Sequence, residues 1–157
     1  MCGTGGGGKS TLLRCCTGLI PRFYGGDFWG EVLVNGEHIA GREPRELATT
    51  VGMVFQNPED QVVASTVEAD VAFGPENLGL ARDQLIQRVR QALGLVGIDA
   101  LAGLSTRQLS AGQLQKVALA GVLAMGPDIL ILDEPTSQID PLSAKELIEL
   151  RREKVLA

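Results

Sequence analysis

Residues 3–11 read GTGGGGKST, and this short stretch limits the folds open to the chain more than any other feature. Gly3, the four residues Thr4, Gly5, Gly6 and Gly7, then Gly8, Lys9 and Ser10 keep the spacing of a phosphate-binding loop, with Thr11 following. Residues without a Cβ reach the backbone angles that turn successive N–H groups toward one anion. Lys9 is placed to reach β- and γ-phosphates, and the Ser10 hydroxyl to ligate Mg²⁺. Residues 10–16 read as a helix whose N-terminal dipole favours the phosphate charge. A flexible glycine linker would not need Lys-Ser-Thr followed by Leu12 and Leu13 on a helical stretch. Such a loop joins a buried strand to a helix, so the fold class expected is α/β with a parallel sheet of the P-loop NTPase type. That strand is not written between Met1 and Gly3, and the sequence reads as beginning late.

The composition is compatible with one packed domain: 157 residues, 45% hydrophobic and 21% charged. A formal net charge of -5 leaves no basic face for nucleic acid. The longest near-apolar run, residues 117–125, falls well short of the roughly 20 residues that cross a bilayer, and no charged-then-apolar leader opens the sequence, so a cytoplasmic chain is expected. Cys2, Cys15 and Cys16 are too few and too close together for a disulfide framework and read as reduced packing residues. His38, the one histidine, follows the Asn35-Gly36 turn and reads as solvated or packed rather than catalytic.

Beyond the first helix, residues 18–21 form a stop signal, and residues 31–36 predict a short strand and a tight turn. Residues 44–48 suit one helical turn. Residues 51–55 (VGMVF) predict a strand that delivers Gln56 into a loop broken by Pro58. Gly74, Pro75 and Gly79 read as punctuation of a connecting loop. In residues 81–96, Leu85, Ile86, Val89, Ala92, Leu93 and Val96 mark one face of an amphipathic helix, with Gln84, Arg88 and Gln91 opposite. Residues 58–109 are therefore expected to form a helical subdomain inserted into an α/β core made by residues 1–57 and 110–157.

Ser110, Ala111, Gly112 and Gln113 open the next helix, with Leu114, Val117, Ala118, Gly121, Val122 and Met125 on one side. Ser110 as N-cap and Gln113 three residues on make a capping box, and the helix end is a second site of attraction for anions. Gly126-Pro127-Asp128 ends it. The continuous apolar run 129–132 (ILIL) predicts a strand buried on both faces. Asp133 and Glu134 follow at its C-terminal end, where open α/β sheets place ligands. Asp140-Pro141 then suits the start of a final helix over residues 143–155.

Together these motifs resemble the ATP-binding subunit of ABC transporters. Residues 3–11 are similar to that family's Walker A loop, Gln56 to its glutamine loop, LSAGQ (109–113) to its LSGGQ signature, ILILDEP (129–135) to Walker B, and SQID (137–140) to its D-loop. Residues 55–80 resemble the ATPases of energy-coupling-factor importers. The resemblance implies ATP and Mg²⁺ as ligands, with Lys9 and the loop amides on the phosphates. It puts Ser10, Asp133 and Gln56 at the metal and makes Glu134 general base or water-orienting group. Gln56 would also sense the γ-phosphate and link the site to transmembrane transporter subunits. Ser110, Ala111, Gly112 and Gln113, with Asp140, would close on ATP held by a second ATPase subunit in a homo- or heterodimer, at the cytoplasmic face of the membrane.

The sequence departs from the family pattern at both ends. The upstream strand with an adenine-stacking aromatic is absent, and the switch histidine would fall beyond Ala157. On that ground the chain alone is expected to bind ATP weakly and to hydrolyse it little or not at all. Two rival readings stand beside a transport ATPase: a soluble ABC-type ATPase unconnected with transport, and an inactive fragment that keeps nucleotide-binding motifs.

Overall fold

The computed structural model describes residues 7–133. Glu134, Asp140, residues 3–6, Cys2 and the final helix expected over 143–155 lie outside the described residues. Helix α1 (Lys9–Cys16) follows the glycine loop. A two-residue hairpin pairs β1 (Leu33–Val34) antiparallel with β2 (Glu37–His38). Its turn residues Asn35 and Gly36 both take positive φ (52° and 80°), the geometry whose twist suits a tight hairpin. A single turn, α2 (Pro44–Leu47), carries a capping box between Glu43 and Glu46. It leads into β3 (Val51–Val54), every residue of which is buried.

Three helices follow: α3 (Val67–Asn77), α4 (Arg82–Val96) and α5 (Ala111–Met125), and then β4 (Ile129–Leu132). β4 lies parallel to β3 in the register Val51–Ile129 to Val54–Leu132. A parallel pair needs a long crossover, and here the three helices make it. Helix α5 is the centre of the main core. It packs on α3 and α4 and also on β3, and Val117, Ala118, Leu119, Ala120, Val122, Leu123 and Ala124 are all buried. Gly52 shows how near the sheet comes: a Cβ there would lie 2.4 Å from Val122 Cγ1 and 2.8 Å from Pro127 Cγ. A second, smaller core gathers Val34, Ile39, Leu47 and Val51 beneath the hairpin.

Several expectations from the sequence are corrected. Gly74 and Pro75 belong to helix α3, not to a loop. Thr66 caps this helix through Ala69 N–H, and Val67, Val71, Ala72 and Pro75 turn into the core. Gly74 is small because Met125 presses on it, with Met125 Cγ 2.6 Å from where a Cβ would be. Close helix contact thus overrides the loop reading, and only Gly79 stays outside the helix. Helix α5 is buried nearly all round beyond its first turn, not on one side, since helices cover one flank and the sheet the other. Strand β4 is half-buried rather than fully buried, because among the described residues it has β3 as its hydrogen-bonded neighbour. On α4, Ile86 is exposed, while Arg88 reaches the Ala124 carbonyl at 3.4 Å and so lies at the packed edge.

Candidate functional site

The phosphate loop enters α1 through Gly8, whose φ of 72° is left-handed. A side chain at that position would strain the backbone, and no side chain caps the helix. Lys9 and Ser10 are the first two helical residues, both half-buried. At the far side of the molecule in sequence, β4 carries Asp133 to the sheet's C-terminal edge, where its N–H donates to the Val54 carbonyl at 3.0 Å. Asp133 is 3% exposed. The Ser10 hydroxyl donates to Asp133 Oδ1 at 3.0 Å, across 123 residues of chain. The two motifs singled out in the sequence therefore meet.

A cavity of about 310 Å³ opens beside this contact, lined by Ser10, Arg14, Tyr24, Phe55, Gln56, Asn57, Asp60 and Asp133. Gln56 reaches it because β3 ends at Val54, one strand away from Asp133 in the parallel register. Arg14 lies 4.4 Å from the Tyr24 ring centroid, a cation–π contact on the wall. The sequence reading did not single out Arg14 or Tyr24; Arg14 stands five residues after Lys9, on the helix the phosphate loop opens.

The donor set suits Mg²⁺. A serine hydroxyl and a carboxylate are hard oxygen ligands, and 3.0 Å between them is close to the roughly 2.9 Å that separates two neighbouring oxygens around an octahedral Mg²⁺. Among the described residues no group of three or more His, Cys, Asp or Glu could hold a metal.

Ser110, Ala111, Gly112 and Gln113 stand apart from this cavity. The capping box forms as the sequence predicts: Ser110 N–H donates to Gln113 Oε1 at 2.9 Å, and Gln113 N–H to Ser110 Oγ at 3.3 Å. Ser110 and Ala111 are exposed, so this helix end faces outward. Of the cysteines, Cys15 is buried and Cys16 half-buried, both as free thiols. Burial, and then the neighbouring Cys15, push the Cys16 thiol above its ordinary range. His38 is exposed beside Glu31, with Nδ1 3.4 Å from Oε2, as expected of a surface residue.

A helix opened by a left-handed glycine, with its Ser10 hydroxyl bonded to an aspartate at the end of a parallel strand, is the α/β arrangement of the phosphate-loop class. The family model for ABC transporters matches residues 1–137, and the chain belongs to that family. It is 46% identical over 146 residues to the energy-coupling factor transporter ATP-binding protein EcfA of Methanoculleus marisnigri, covering 93% of this chain and 51% of that protein. It is 43% identical over 151 residues to EcfA1 of Methanospirillum hungatei, covering 96% and 53%. Against a longer relative from Methanosarcina acetivorans the chain spans 24% of the length. Among solved structures it matches cbiO1 of Clostridium perfringens, part of the ABC transporter complex cbiONQ. That match has a TM-score of 0.75 and 38% identity, over 96% of this chain and 61% of that one. The fold is thus that of the ABC ATPases, over part of their length.

Proposed function

We propose that the chain is the ATP-binding and ATP-hydrolysing part of a subunit that powers import through a membrane ABC transporter of the energy-coupling-factor kind. The observation that carries this reading is the 3.0 Å contact between Ser10 and Asp133, beside Lys9 and Gln56. It joins a phosphate cradle to a magnesium-type carboxylate. In this reading Lys9 and the loop amides of Gly3, Thr4, Gly5, Gly6, Gly7, Gly8, Ser10 and Thr11 hold the phosphates. Ser10 and Asp133 would hold Mg²⁺, with Gln56, which lines the same cavity, as a further ligand. When bound, Mg²⁺ draws charge from the transferring phosphoryl group. Glu134 orients the attacking water or takes its proton.

The outward-facing end of α5 supports a site completed by a second subunit, since Ser110, Ala111, Gly112 and Gln113 do not line the cavity of their own chain. Asp140 is assigned to the same shared interface. Residues 58–109 are read as a helical subdomain between two parts of an α/β core, and the mutual packing of α3 and α4 supports it. Membrane subunits are the proposed partners. No helix of the described residues is long and apolar enough to cross a membrane, which suits peripheral attachment at the cytoplasmic face. The test is direct: phosphate release from Mg-ATP by this chain, alone and with its membrane partners, against the Glu134→Gln variant. Partner-stimulated turnover that the variant loses supports the reading. Turnover that survives Glu134→Gln contradicts it.

A further inference from the structure

Gln61 has no part in the reading given so far, yet its side chain makes two bonds at the very end of β3. Its Oε1 accepts from Phe55 N–H at 3.0 Å and its Nε2 donates to the Met53 carbonyl at 3.1 Å. In a strand, the carbonyl of one residue and the N–H two residues on point to the same side. Here that side is the edge opposite β4, because β4 uses the other edge, through Thr50 and Val54 carbonyls. A primary amide offers one donor and one acceptor side by side, as a backbone does. The Gln61 amide therefore serves as a one-residue strand on the edge of β3 that no other strand among the described residues pairs with, at the last residue before Gln56.

The loop between is closed by its own bonds: Asp60 N–H to Asn57 O at 3.2 Å, Gln61 N–H to Pro58 O at 3.0 Å, and Asn57 Nδ2 to Asp60 Oδ2 at 3.2 Å. Just beyond it, the buried Asp70 carboxylate accepts from Val63 and Ala64 N–H at 2.7 and 2.9 Å. Thr106 Oγ1 donates to the Ala64 carbonyl at 2.8 Å. Gln61 is thus anchored from behind by the segment that leads to the capped end of α5, and from in front it grips the strand. Phe55 and Gln56 line the nucleotide cavity, whereas Gln61 lines a separate groove with Asp70 and Phe73. It stands in the wall between the two.

We infer that Gln61 is a positioning residue for Gln56: by pairing with Met53 and Phe55 it fixes where the strand ends, and so aims Gln56 at the γ-phosphate end of the site. This rests on the nucleotide-binding reading above. Gln61 itself touches no nucleotide, so its loss should change discrimination between ATP and ADP and leave common phosphate binding in place.

The experiment uses the full chain with Gln61→Ala, Gln61→Glu, Gln56→Ala and the double variant, each checked for native circular dichroism. Calorimetry reads the affinities for Mg-ATP and Mg-ADP, and amide exchange resolved to Phe55 reads the staple. Gln61→Ala is expected to speed exchange at Phe55 by about ten-fold. It should also reduce the ratio of ATP to ADP affinity by about three- to ten-fold, with ADP affinity within about two-fold of the parent. Gln61→Glu keeps the bond to Phe55 and loses the one to Met53, so it should lie between. It also stands in should the alanine variant fail to fold. The double variant should discriminate no worse than Gln56→Ala alone. Equal losses for ATP and ADP, or an additive double variant, overturn the role. Unchanged exchange at Phe55 overturns the staple itself, whatever the chain binds. A parent chain that binds neither nucleotide defeats the nucleotide reading, and one that binds ATP and ADP alike overturns the positioning role alone, while in both cases the exchange result at Phe55 stands on its own.

Discussion

Two helix ends in this molecule are built in opposite ways. Helix α1 starts from a left-handed glycine, with no side chain capping it and with Gly7 and Gly8 exposed. Helix α5 starts from an extended serine, and Ser110 and Gln113 cap each other. Both are N-termini with the same partial positive charge. What differs is what is asked to satisfy the first-turn N–H groups. At α5 the chain does so itself, through the Ser110–Gln113 box. At α1 no side chain does so, and Ser10 in its first turn meets Asp133 beside the cavity that Gln56 lines, while the capped end of α5 faces outward.

If α1 is the end shaped for a ligand, removing its cation should cost binding. Lys9→Ala is expected to weaken Mg-ATP by about ten- to hundred-fold, the scale of a hydrogen bond to a charged group with its Coulomb attraction. Calorimetry reads this. Asp133→Asn should take away most of the Mg²⁺ dependence: titrations with and without EDTA should differ by about ten-fold in the parent and hardly at all in the variant. An undiminished Mg²⁺ effect in Asp133→Asn would mean that the contact with Ser10 is only structural.

The capped end should answer to a different measurement. Ser110→Ala removes one half of the box and is expected to lower stability by about 1 kcal/mol in denaturant titration, with the affinity of the isolated chain for ATP unaltered. A loss of binding there would erase the contrast between the two ends. At the far end of α1 the effect is smallest. Because burial, followed by Cys15, raises the Cys16 pKa, its thiolate fraction at pH 8 is below that of an exposed cysteine. Alkylation, resolved by peptide mass spectrometry, should be a few-fold slower than for an unfolded control. The sign for stability follows: the folded thiol holds its proton more tightly, so the contribution is present below the unfolded pKa near 9 and lost as pH rises past it.

What the residues alone made legible was what rests on local rules. The start of α1 after Gly8, the Ser110–Gln113 box, the Asn35-Gly36 turn and the apolar run before Asp133 depend on spacing within a few residues, and each stands where the sequence puts it. Packing was less legible. Gly74 and Pro75 read as a loop because their propensities say so, but Met125 presses on one and the core takes the other. The even burial of α5 was hidden for a similar reason, since its apolar residues fit a one-sided helix until both neighbours are in place. Gln61 could not have been found by spacing at all. Its part depends on which edge of β3 is turned away from β4, and β4 comes some seventy residues later.

Mn²⁺ in place of Mg²⁺ gives the most direct test of the claim that Ser10 and Asp133 seat one metal-bound triphosphate beside Gln56. With Mn-ATP added to isotope-labelled chain, the amide signals of Ser10, Asp133 and Gln56 should broaden strongly while those of α4 stay sharp. Broadening spread evenly over the surface, or confined to residues away from the Ser10–Asp133 contact, would contradict it.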